Sequence, residues 1–253
     1  MPTALITGAS AGLGAEFAAQ LAARGADLVL VARSRDALTA RASRIADEHG
    51  VVVEVLTADL TQTRGINKVA ARLADAQHPV DLLVNNAGFG LPLRFADNAL
   101  ADEVDHLRIH VEAPMRLMHA ALGTMRGRGG RIINVASVAA FIPRSTYAAC
   151  KQWLVSFSRW ANVEYARDRV SVTALCPGFT HTDFHERMGL PPGEEGVPGW
   201  MWLDAPRVVR TALRDAARGK ALSVPSLRYQ AIIALTRFLP PTLVARAGSR
   251  GRF

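Results

Sequence analysis

The sequence predicts an α/β protein built on one doubly wound parallel sheet of about seven strands in three layers. Three observations carry this. Short runs rich in Val, Ile and Leu alternate with longer helical periods, and repeated strand–helix units imply parallel strands joined by right-handed crossovers. The runs lack clean polar alternation, as strands covered on both faces do. A glycine-bearing turn, Gly8 to Gly14, lies directly between the first run and the first helix.

The strands are expected near 3–7, 28–32, 51–56, 80–84, 131–135, 170–175 and 221–224. Helices are expected near 12–24, 35–48, 62–76, 99–126, 146–166 and 205–218. The helix over 35–48 rests on Leu38, Ile45 and alanines set among charges. No linker or repeat interrupts the alternation, so 1–227 reads as one domain. Residues 178–204 depart from it, because Pro191, Pro192, Gly193, Gly196, Pro198 and Gly199 are too punctuated for one helix. This stretch follows the sixth strand, at the carboxyl edge where such sheets bind ligands. It is expected to supply a substrate lid over about 183–204. There Trp200, Met201 and Trp202 either line an apolar pocket or pack the loop on the body. The remainder, 228–253, reads as an extension for packing or assembly, with contact to a membrane surface the less favoured use.

Composition excludes several classes. Of 253 residues, 49% are hydrophobic and 21% charged, enough for a sizeable core. The two cysteines, Cys150 and Cys176, match no metal or redox spacing and read as reduced core thiols. The net charge of +8 comes from 30 basic residues, of which only Lys68, Lys151 and Lys220 are lysines. That preference for arginine looks like compositional habit, and no nucleic-acid recognition pattern accompanies it. The uncharged run Ile132 to Pro143 is too short to span a bilayer, which takes roughly 20 residues. Thr3 to Thr7 leaves no room for a signal peptide, so a cytoplasmic, reducing location is expected. His106 and His110, like His181 and His185, have helical metal-pair spacing, but no third ligand or HExxH accompanies them; no metal is expected.

The turn Thr7-Gly8-Ala9-Ser10-Ala11-Gly12-Leu13-Gly14 carries the first chemistry. Gly8 permits the turn, Gly12 lets backbone approach phosphate, and Gly14 lets helix and strand pack closely. Free N–H groups at the helix start then face a pyrophosphate. The second strand ends Ala32-Arg33-Ser34-Arg35. A carboxylate there would hold an adenosine ribose and repel a 2′-phosphate; two arginines instead suit the phosphate. NADP(H) is therefore expected over NAD(H), with Arg33 the first contact and Arg35 either the second or a solvated helix start. Asp59 and Leu60 end the third strand, where Asp59 either meets the adenine or caps the next helix.

Taken with Asn85-Asn86-Ala87-Gly88, Asn134 and Ser137, Tyr147-Ala148-Ala149-Cys150-Lys151, and Pro177-Gly178 with Thr182, this turn resembles the short-chain dehydrogenase/reductases. The motifs stand in that family's order over roughly residues 1–226, and the fold implied is the Rossmann type. The tail loosely resembles reductases of bulky or lipid-like carbonyl compounds. The resemblance implies hydride transfer between a nicotinamide and a carbonyl or alcohol carbon. Tyr147 would be the acid/base, Lys151 its helper on the ribose, and Ser137 the hydroxyl that orients the carbonyl. It also implies cofactor contacts at Ser10, Leu13, Asn86, Ala87, Gly88, Pro177, Gly178, Thr180 and Thr182. Assembly into a homodimer or homotetramer would run through the helices over 99–126 and 146–166.

Physical chemistry supports those roles. Tyr147 and Lys151, four apart, share a helix face. A phenol at its ordinary pKa of about 10 is a poor base; a nearby ammonium and an oxidised nicotinamide would lower it. Ser137, ending a strand, can donate to a carbonyl oxygen as charge develops.

Two departures from the family pattern stand out. His110 occupies the position of a helix asparagine that holds a water near the lysine. It either relays the proton, making the rate pH-sensitive near 6–7, or only packs. Ser137 and Tyr147 are ten apart where the family more often has about thirteen, so Val138 to Thr146 should form a tighter loop, with Ser137 either in its expected place or moved from it. The expected reaction is NADPH-dependent reduction of an apolar ketone or aldehyde under a lid offering Phe184, Met188, Leu190, Trp200, Met201 and Trp202. The alternatives are alcohol oxidation by the same site, or nucleotide binding without turnover.

Overall fold

The computed structural model describes residues 1–182, 197–236, 238–240 and 242–244. Seven parallel strands form one sheet in the order β3-β2-β1-β4-β5-β6-β7. They are β1 (Thr3–Thr7), β2 (Asp27–Ala32), β3 (Val53–Thr57), β4 (Leu82–Asn85), β5 (Gly130–Val135), β6 (Val170–Leu175) and β7 (Leu222–Ser223). The order reverses between β1 and β4, and there the carboxyl ends open a crevice for ligand. Register carries the motifs to one edge: Thr7 stands beside Val31, Asn85 beside Asn134, and Val135 beside Leu175.

Helices cover both faces. On one side α1 (Gly12–Ala22), α2 (Arg35–His49) and α7 (Ala205–Ala217) bury Phe17, Leu38, Ile45 and Val209 against Ile6 and Leu30. On the other, α3 (Thr63–Leu73), α5 (Ala113–Met125) and α6 (Thr146–Glu164) bury Ile66, Leu73, Leu117, Met125 and Ala161 against Leu5 and Leu83. Each such large apolar side chain contributes about 1.5–3 kcal/mol on leaving water. Ser34 and Ser145 cap α2 and α6 by accepting from Ala37 N and Ala148 N, and Gly50 ends α2 in the left-handed conformation.

The long helix expected over 99–126 is broken. α4 spans Leu100–Leu107, a π-helical turn spans Arg108–Glu112, and α5 follows. Pro114 lies in the first turn of α5 and has no N–H to donate to the carbonyl of His110, four residues back. The backbone passes this point by bonding Ala113 N to Arg108 O, a five-residue step.

The sequence also did not mark α8 (Leu227–Thr236) as a helix. Its Tyr229 and Ile233 are buried in a third cluster with Ala136, Leu154 and Cys176. Cys150 and Cys176 are buried free thiols. Among the described residues no helix is long and apolar enough to cross a membrane.

Candidate active site

A single cavity of about 1270 Å³ runs along the carboxyl edge of the sheet. At one end it is walled by the glycine turn and the end of β2, at the other by Phe141, Met201, Ile232 and Ile233.

The nucleotide end is built from backbone. Gly8 has φ +67°, and a Cβ there would stand 2.9 Å from the Ala87 backbone, so only glycine fits. Thr7 ties this turn to the β4 loop: its hydroxyl accepts from Asn86 N (2.9 Å) and Ala87 N (3.0 Å). Asn86 Nδ2 donates back to Thr7 O at 2.9 Å. The start of α1 has no side-chain cap, which leaves its first N–H groups to an anion. Ser10, Gly12, Leu13, Asp59, Leu60, Asn86, Ala87, Gly88, Pro177, Gly178, Thr180 and Thr182 all line the cavity. Gly14 lies beneath the wall, where a Cβ would meet Gly8 O at 2.2 Å.

Arg33 is exposed at the cavity wall, with no carboxylate within salt-bridge reach among the described residues. Arg35 is not on the wall; it opens α2 facing solvent. Asp59 caps no helix. Its Oδ1 accepts from Thr61 N (2.9 Å) and Thr61 Oγ1 (2.8 Å), and the N-cap residue of α3 is Gln62.

The catalytic candidates meet midway along the cavity. Tyr147 and Lys151 rise from the first turns of α6, with Lys151 Nζ 5.5 Å from the Tyr147 ring centroid. Ser137 lines the same cavity as Tyr147, and its hydroxyl stands near enough to favour the ionised phenol. The intervening chain tightens into a 3-10 turn, Val138–Phe141, where Ser137 Oγ accepts from Ala139 N at 3.1 Å.

Electrostatics depart from expectation. Burial pushes the Tyr147 phenol up to about 12, against the lowering influence of its Ser137 hydrogen bond and of Arg144. Lys151 is not among the groups that lower it. Its ammonium, brought down to about 8 mainly by burial, is directed to Val135 O at 2.6 Å. The neutral phenol is the form that donates a proton.

His110 lies in the π-helical turn, wholly buried, with its ring 5.5 Å from that of Tyr147. Its Nε2 donates to Phe89 O at 2.7 Å, which places the lone pair on Nδ1. Burial and the Lys151 charge hold its pKa well below 6.5, which favours the neutral imidazole over a titration near pH 6–7. Gly88 makes room for it, since a Cβ at that position would be 2.2 Å from His110 Cε1.

Below the cavity floor, buried amides join three elements. Asn85 Nδ2 donates to Asn134 Oδ1, and Asn134 Nδ2 to Ser158 Oγ, each at 2.9 Å. Asn85 therefore holds the sheet edge and is not itself on the cavity wall.

Comparison with known proteins agrees with this geometry. The family model described as short chain dehydrogenase matches residues 2–190. The chain belongs to the short-chain dehydrogenase family. This oxidoreductase is 30% identical over 183 residues to the 3-oxoacyl-(acyl-carrier-protein) reductase FabG of Aquifex aeolicus, covering 71% of this chain and 74% of that one. It matches the structure of a short-chain dehydrogenase from Sphingobium yanoikuyae in complex with NADPH with a TM-score of 0.85 and 33% identity, over 94% of each chain. A bulky-bulky ketone specific alcohol dehydrogenase from Comamonas testosteroni matches with a TM-score of 0.80 and 30% identity, over 95% of each chain.

Several residues around the site of this dehydrogenase were not assigned to it by sequence reasoning. Arg144 lines the cavity beside Tyr147. His106 is fully buried, its ring 4.4 Å from that of His110 and 6.0 Å from that of Tyr147. Tyr229 of α8 accepts at its hydroxyl from Phe179 N (3.1 Å) and donates to Met201 O (2.8 Å). Of the tryptophans expected in the pocket, Trp200 is exposed under Arg228 and Trp202 stacks on His181; only Met201 of that trio reaches the cavity wall. Phe184, Met188 and Leu190, with the lid over 183–196, lie outside the described residues.

Proposed function

We propose that this dehydrogenase reduces an apolar ketone or aldehyde to the alcohol at the expense of NADPH. The observation that carries the reading is the meeting of Ser137, Tyr147 and Lys151 on the wall of one cavity, with a nucleotide-type turn at one end and apolar side chains at the other. The site fits the cofactor. Backbone N–H groups at the uncapped start of α1 suit a pyrophosphate, and Arg33, without a carboxylate partner, suits a 2′-phosphate. The likeness to an NADPH complex supports the same choice. When bound, the reduced nicotinamide supplies the hydride.

The chain's own groups do the rest. Ser137 orients the carbonyl oxygen by donating to it, a contact that strengthens as negative charge develops there. Tyr147, held neutral, gives its proton to that oxygen. Lys151 commits one N–H to Val135 O, which leaves two for a ribose hydroxyl and the phenol. His110, neutral and of fixed tautomer, offers Nδ1 as the acceptor on the route by which Tyr147 regains a proton. Phe141, Ile142, Met201, Ile232 and Ile233 exclude water and favour an apolar substrate. The similarity to a bulky-ketone enzyme supports that class.

The test is NADPH absorbance across a panel of apolar ketones and aldehydes. Turnover with at least one is expected. Tyr147→Phe should lower it by about 10²–10⁴-fold while NADPH affinity stays within about twofold. His110→Asn should keep substantial turnover. No NADPH oxidation with any panel member, or full activity in Tyr147→Phe, overturns the reading.

A further inference from the structure

We propose that Arg41 is a second guanidinium on the 2′-phosphate of NADP(H), reaching the site from the body of α2. The inference rests on NADP(H) being the cofactor. Position 11 of the glycine turn is alanine, so the turn itself offers no cation. Arg41 lies one turn beyond Ala37, which lines the cavity, on the same face of α2. Its Nη2 donates to Ser10 O at 3.0 Å, and Ser10 is itself on the cavity wall. The side chain thus crosses from the helix to the turn; Arg41 does not itself line the cavity and meets it through Ser10, on the wall that also carries Arg33.

Two features of Arg41 are unaccounted for by a structural role. Its Nε is buried and has no acceptor. Among the described residues no carboxylate lies within 4.0 Å of Arg33, Arg41 or Arg44. Burial and the neighbouring Arg44 charge both work against the Arg41 cation, yet a guanidinium cannot shed its proton in a protein. A half-buried charge facing a like charge is costly to keep without a counter-ion. Bracing the Ser10 carbonyl takes one N–H and leaves the charge without a counter-ion; the buried Nε is shut off from the cavity and is not itself the contact. A phosphate monoester dianion supplies both the acceptors and the charge, in a geometry that suits a guanidinium fork.

The test is equilibrium binding at fixed salt, read by calorimetry, with NADPH, NADH and 2′,5′-ADP as probes. The proteins are the wild type, Arg41→Gln, Arg41→Lys and Arg33→Gln, each checked by thermal melting. Arg41→Gln should weaken NADPH and 2′,5′-ADP by about tenfold or more and leave NADH within about twofold. Arg41→Lys should fall between. Equal weakening of NADPH and NADH would reduce Arg41 to a brace on the turn, and unchanged binding of all three probes would remove it from the site; either overturns the proposal. The cofactor reading is judged separately on the wild type. If NADH bound there as tightly as NADPH, that reading would fail first, and the proposal with it.

Discussion

At the scale of single residues, the site is governed by what burial does to charge. His106 is held down to about 4 by burial, against the pull of Glu103 and with the push of Lys151, and His110 lies well below 6.5 for the same first reason. Both folded values are depressed. As pH falls through 6.5 the unfolded chain takes up protons that the folded chain does not, so stability is lost from about 6.5 downward. Melting temperature should therefore fall between pH 6.5 and 4, and His106→Phe should give a shallower slope over that window. An unchanged slope would mean that His106 titrates normally in the folded protein. Tyr147 shows the converse. Its phenol is kept neutral by the same desolvation that a base would have to overcome, so alcohol oxidation should gain more from rising pH than ketone reduction does. Steady-state profiles in both directions, taken with one substrate pair, measure this.

At the scale of elements, α8 and the segment after β6 act together. A Cβ at Gly178 would stand 2.0 Å from the Tyr229 ring. Gly178→Ala should cost about 1–3 kcal/mol, a fall of roughly 2–4 °C in Tm per kcal/mol for a chain of this size. In a double-mutant cycle, Tyr229→Leu should recover part of that loss; strict additivity would mean that the two sites do not touch. The sheet and the helices were legible because periodicity is written by packing: Leu38 and Ile45 mark α2, and unbroken runs of Val and Leu mark β2 and β4. The candidate triad was legible through motif order. Arg41, Arg144 and Tyr229 were not: Tyr229 reaches the cavity from α8, Arg41 touches its rim only through Ser10, and Arg144, just ahead of α6, belongs to no motif. α8 escaped for a related reason. Its apolar residues are spread around the helix rather than gathered in a stripe, so the 3.6-residue period is weak. The register of Lys151 on Val135 O is a fact of depth, which spacing along a helix does not convey.

At the scale of the whole molecule, the distribution of exposed apolar side chains carries a prediction. Val104 and Leu107 on α4, Met115 on α5, and Trp160 and Val163 on α6 are exposed. These are the helices through which a homodimer or homotetramer is expected. Light scattering should report more than one chain per particle, and the pair Trp160→Glu with Val163→Glu should shift it toward a single chain. A wild type already single at micromolar concentration would refute this. The amide chain from Asn85 through Asn134 to Ser158 joins β4, β5 and α6 below the catalytic groups. Asn134→Leu strands its partners and should cost about 1–3 kcal/mol with no contact to ligand lost.

The π-helical turn has a consequence for how the chain tolerates change. It accommodates one residue more than a regular α-helix would over the same rise. Removing any one residue between Arg108 and Glu112 would let ordinary four-residue bonding resume with the downstream helix still in phase, because five residues of the π turn cover about the rotation that four cover in an α-helix. Leu117, Met118 and Met125 would keep their places on the sheet, while His110 would lose its place beside Tyr147. The insertion is a phase setting: it lets one end of the helix serve the chemistry while the other keeps its grip on the core.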